Sequence, residues 1–138
     1  MNQITVPEIS IQQIDAILEY LPLFDREDFQ PGQWVEREGQ LPCFAFSTEV
    51  ERFMHALYQQ NFIFPFDWKS RSEEAKRYQS DPKALGTADL LTLRKLLIAN
   101  VRADRFVEGH LAGQFKNGHV TAILRRLKHV RDGMAGGS

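Results

Sequence analysis

The sequence predicts a mainly α fold: one compact bundle of about six helices, with a short two-stranded β ribbon near residues 33–46. Three observations carry that expectation. Apolar residues recur at three- and four-residue spacing in separate segments, which is the period of an amphipathic helix. Ser, Thr or Asp opens these segments, and Asn, Gly or Pro follows them. The connections in the C-terminal part are only a few residues long, which favours packed neighbours over separated helices.

The first helix is expected after Ser10, with Ile11, Ile14, Ile17, Leu18 and Leu21 on one stripe and Pro22 ending it. Ser10 and Gln13 have the spacing of a capping box. Pro31, Gly32, Gly39 and Pro42 punctuate the next stretch. Trp34-Val35 and Phe44-Ala45-Phe46 can pair across the Gly39 turn, although an isolated ribbon needs helices to pack on. Val50, Phe53, Met54, Leu57 and Tyr58 define the second helix, capped by Thr48 with Glu51 and stopped by Asn61. Phe62 to Phe66 is too apolar for a surface loop and reads as a buried extended connector, because Pro65 forces extension on its predecessor. Asp67 caps a third helix through Trp68, Ala75 and Tyr78. Asp81-Pro82 opens a short turn that Gly86 closes. Three helices complete the chain. One is capped by Thr87 and carries Leu90, Leu93, Leu97 and Val101. One starts near Asp104 and carries Phe106, Val107, Leu111 and Phe115, with Asn117-Gly118 as its stop. The last, at 119–132, carries Val120, Ile123, Leu124 and Leu127.

The 138 residues suit a single domain at 1–133, with 134–138 expected to be a flexible tail. A chain of this mass buries about two-thirds of its extended surface, enough for a core without disulfides or a structural metal. No apolar run approaches the ~20 residues of a membrane-spanning helix, so no membrane partner is expected. The single Cys43 excludes an internal disulfide and a multi-thiolate zinc site, and it fits a reducing cytoplasm. The net charge of −1 is a cancellation. Residues 1–51 hold ten acidic and two basic side chains, whereas 101–138 hold seven basic and three acidic. Such a split marks either a binding surface or two ends that attract each other.

The stretch Ala88-Asp89-Leu90-Leu91-Thr92-Leu93-Arg94-Lys95-Leu96-Leu97 is followed by Arg102-Ala103-Asp104-Arg105-Phe106-Val107-Glu108-Gly109-His110-Leu111, then by Asn117-Gly118-His119 and Ile123-Leu124-Arg125-Arg126-Leu127. Together with Phe66-Asp67-Trp68 and the acidic, aromatic N-terminal half, this resembles a small bacterial domain family of unassigned function. The likeness covers most of the chain. Where that family leads one to expect another aromatic, this chain has Arg71. The resemblance implies a single, mostly helical bacterial domain and no particular chemistry.

The densest polar cluster is Arg102, Asp104, Arg105, Glu108 and His110. Glu108 or His110 could serve as a base and an arginine could hold an anion, but such a set at a helix start is more often a capping and salt-bridge network. With Trp68, these residues are the candidates for binding a ligand or partner. Arg125, Arg126, Lys128 and Arg131 on the last helix are the candidates for phosphate contact. The helix before theirs lacks a cluster of Asn, Gln or Arg at its start suited to reading bases, and the pI of 6.4 lies below that usual for a nucleic-acid binder. His55, His110, His119 and His129 have no partner at metal-ligand spacing, so no metal is expected, and no nucleotide or hydrolase motif calls for a cofactor. Gly109 and Gly113, four apart, are expected within a helix whose small face admits a neighbouring helix. No catalytic residue is assigned. The leading expectation is a non-enzymatic binding module for protein or nucleic acid. The rivals are a small enzyme or anionic-ligand site on the Arg/Glu/His cluster, and an inhibitor or accessory protein whose acidic half meets a basic target.

Overall fold

The computed structural model describes residues 6–65, 76–78, 80–104 and 107–136. Among them lie seven helices and one two-stranded antiparallel sheet, a mainly α single domain as the sequence predicts. In chain order these are α1 (Ile11–Leu18), α2 (Leu21–Phe24), β1 (Gly32–Val35), β2 (Cys43–Phe46), α3 (Thr48–Gln59), α4 (Pro82–Leu85), α5 (Leu90–Ala103), α6 (His110–Lys116) and α7 (His119–Gly136).

The Ser10–Gln13 capping box forms in both directions, at 3.2 and 2.8 Å. Pro22 does not end α1, which stops at Leu18; it lies in the first turn of α2, where the missing N–H costs nothing. The second box does not form: Ser47, not Thr48, caps α3 by accepting from Val50 N, and the valine side chain has nothing to return to the cap. Asn61 then leaves α3 with φ +60°, a left-handed stop that asparagine tolerates. Phe62 and Phe64 of the following connector are buried. Phe66, Asp67, Trp68 and most of the expected third helix lie outside the described residues, while 76–78 and 80 are helical. Asp81 caps α4 as expected. Asp89, not Thr87, caps α5, and its contacts with Thr92 hold its carboxyl below the ordinary value. Thr87 instead donates its hydroxyl to Ala84 O. The last helix continues to Gly136, beyond the expected end at 132.

The ribbon pairs Gly32 with Phe46, Gln33 with Ala45, Trp34 with Phe44 and Val35 with Cys43. At the centre of the bundle stands α7, which packs against α1, α2, α4, α5 and α6. Its apolar side, Val120, Ile123, Leu124 and Leu127, is fully buried. An aromatic group joins the two halves of the chain: Phe24 lies 4.8 Å from Phe115, 5.0 Å from Phe53 and 4.9 Å from Phe29, ring centre to ring centre. The edge-on contacts with Phe115 and Phe53 add to the burial of the rings.

One buried cation sits in this core. Arg94, 3% exposed, donates to the carbonyls of Pro7, Asn61 and Phe62 and lies over the Phe64 ring at 4.8 Å. Its guanidinium ties the N-terminal segment and the end of α3 to α5, and burial pulls its pKa below the ordinary value.

Candidate functional site

Of the polar cluster, Arg102 lies in α5, Asp104 at its end, Glu108 just before α6 and His110 at the start of α6, and the local chain path differs from expectation. No helix starts at Asp104. Asp104 ends α5, and α6 begins at His110 after Gly109, whose φ of +87° is left-handed. Glu108 therefore precedes the helix, and helical spacing does not set its partner. Its Oε1 accepts from Phe44 N at 2.7 Å, so the turn grips the outer edge of β2. Asp104 Oδ1 accepts from Leu111 N at 3.0 Å, capping the first turn of α6 from the end of the preceding helix.

Glycine is required at 109 for two reasons. A left-handed backbone strains any residue with a Cβ, and a Cβ here would lie 2.9 Å from Trp34 Cζ2. The indole is thus seated against the Gly109 backbone, with Phe44 edge-on to it at 5.5 Å. Trp34 nevertheless stays 54% exposed. Gly113 faces open space, so the expected close helix contact is not the reason for either glycine.

His110 reaches inward from the start of α6, its Nε2 3.3 Å from Asn100 Oδ1. Asn100 Nδ2 donates to Leu96 O, which leaves Oδ1 as the acceptor for the imidazole N–H. Near His110 lies His119, the first residue of α7, buried and with Nε2 unpartnered. Burial foremost, then the charge of His110, pushes the His119 pKa down to about 4. Arg102 is half-buried and makes no hydrogen bond or ion pair among the described residues; Arg105 and Trp68 lie outside those residues. The cluster is therefore not a set of side chains paired with one another. Glu108, Asp104 and His110 each serve a different neighbouring element. Among the described residues no group of three or more His, Cys, Asp or Glu could hold a metal ion, and no helix is long and apolar enough to cross a membrane.

Comparison with protein-family models matches residues 9–133 to the Family of unknown function (DUF6508). The chain belongs to the DUF6508 family. The match runs from the residues before α1 into the last turns of α7 and agrees with the resemblance seen in the sequence. Neither the curated proteins nor the solved structures gave a match.

In this DUF6508 chain two of the four basic residues named on α7 are engaged by its own acidic front. Arg131 forms a two-pronged pair with Asp15, at 2.8 and 3.1 Å, and also approaches Asp132 at 3.5 Å. The Arg131 hydrogen bond, foremost, holds the Asp15 carboxyl below the usual carboxylate range. Arg125 pairs with Asp25. Arg126 donates from Nε to Ala88 O at 2.9 Å, and Lys128 is exposed. Sequence reading missed Asp15 and Asp25 as partners because each is separated from its arginine by a hundred residues or more. It also missed the seating of Trp34 on Gly109. The available signal there was a glycine preceding a helical stripe, together with a tryptophan in a polar strand.

Proposed function

We propose that this DUF6508 domain is a non-enzymatic, cytoplasmic protein-binding module that presents its hairpin to a basic surface of its partner. One observation carries the reading: an indole more than half exposed is held rigidly, wedged on Gly109, while Glu108 clamps the strand behind it. A pre-positioned tryptophan is a favoured anchor of protein interfaces, since little freedom is lost when a partner covers it. Leu41 at the tip of the same hairpin is 88% exposed, and Val107 beside Glu108 is 61% exposed. Glu36 and Glu38 flank the tip, and Glu27 and Asp28 precede β1. Asp15 and Asp25 are occupied by α7, whereas these four carboxylates lie next to the hairpin in the chain and complement a basic partner. The commitment of Glu108, Asp104 and His110 to holding the turn supports binding over catalysis.

The test is capture from the native host with the intact domain, followed by titration of the purified partner. A partner whose binding is lost in Trp34→Ala, weakened by the charge reversal Glu36→Lys/Glu38→Lys and by salt, and kept in Lys128→Gln supports the proposal. Binding indifferent to both hairpin variants overturns it.

A further inference from the structure

A groove of about 370 Å³ opens on the opposite side of the charge distribution, between α4 and α7. Its walls are Leu85 and Gly86 from the end of α4 and Ala122, Arg125, Arg126 and His129 from α7. Leu85 is buried and Ala122 half-buried, and two guanidinium groups and an imidazole supply the polar lining. We infer that this groove binds a small phosphate-bearing ligand.

The arginine geometry supports that ligand class. Arg126 is fixed at Nε by Ala88 O, which leaves Nη1 and Nη2 without partners among the described residues and restricts the orientation of the guanidinium. A guanidinium held in one orientation recognises phosphate by two parallel hydrogen bonds. Arg125 already holds an anion, the carboxylate of Asp25. A phosphate entering the groove would exchange one anionic partner of Arg125 for another, so Asp25 acts as an internal competitor. His129, one helical turn beyond Arg125 on α7, adds a third donor. The volume lies in the range of small-molecule sites, and among the described residues no acidic side chain lines the groove. A nucleic-acid backbone fits less well. Arg131, which would extend the basic stripe along α7, is paired with Asp15, so the stripe is interrupted just beyond the groove.

The experiment is a titration of the isotope-labelled domain, followed by amide resonances, with inorganic phosphate and separately with adenosine monophosphate at constant ionic strength. Saturable shifts at Gly86, Arg125, Arg126 and His129 are expected with at least one of the two probes. Asp25→Asn is expected to tighten binding several-fold, a gain that misfolding does not produce. Arg126→Gln/His129→Gln is expected to weaken it about tenfold. The absence of saturable shifts with both probes overturns the inference, as does an affinity unchanged in Asp25→Asn. Tighter, strongly salt-dependent binding of a DNA duplex on the same residues overturns it in favour of nucleic acid.

Discussion

At Gly109 the backbone has φ +87°, and the space a Cβ would fill is taken by the Trp34 ring. Gly113, four residues on, lies within α6 at an ordinary helical position with nothing within 4 Å of a built Cβ. The same substitution therefore has opposite signs at the two sites. Gly109→Ala is expected to destabilise the domain by about 1–3 kcal/mol through left-handed strain and the clash. Gly113→Ala is expected to stabilise it by about 0.5–1 kcal/mol by removing a flexible glycine from a helix. Urea unfolding of both variants checks the pair. Combining Gly109→Ala with Trp34→Ala should cost less than the sum of the single changes, because one of them removes the clash. From the sequence both glycines appeared to lie inside a helix. The misreading has a physical origin: Phe106, Val107 and Leu111 mimic an apolar stripe, but Asp104 caps α6 from a distance and the chain turns at 107–109 instead.

Among the elements, the hairpin depends most on its surroundings. Four-residue strands joined by a turn are marginal alone. Here β2 gains a charged acceptor, Glu108, on its outer edge, and β1 gains the α5–α6 turn as a platform for Trp34. Glu108→Ala should leave the helices folded and release the hairpin locally, raising the exchange rate of the Phe44 amide about tenfold. Hydrogen exchange followed residue by residue would show this; unchanged exchange at Phe44 would mean that the strand is held by other contacts. The helices themselves were largely legible in the sequence, because caps such as Ser10–Gln13 and Asp81–Pro82 and stops such as Asn61 act within a few residues. The site was less legible. Glu108 bonds a residue 64 positions away, and nothing in local spacing records such a partner.

For the molecule as a whole, the response to acid has two windows, one set by His119 and a lower one by the carboxylates of Asp15 and Asp89. His119 is buried in its neutral form with a folded pKa of about 4, against an ordinary value of 6.5. The unfolded chain binds that proton first, so stability is full above the ordinary value and falls as pH drops from there toward the folded one. Chemical unfolding should show a loss of about 1–2 kcal/mol between about pH 7 and about pH 5. His119→Gln should flatten that slope. The carboxylate of Asp15, held below its ordinary value by Arg131, contributes above the unfolded value of 3.8 and is lost at still lower pH. A wild-type slope matching that of His119→Gln over the upper window would sink the assignment.

The central position of α7 also bears on how the chain is made. Every other element described here is synthesised before it, yet Ile14, Ile17 and Phe24 belong to a core that α7 completes. Asp15 must find an arginine 116 residues downstream. The apolar faces of α1 and α2 therefore stay uncovered by α7 until residues 119–136 have been made. A chain ending before residue 119 would leave Ile14, Ile17 and Phe24 without the helix that covers them.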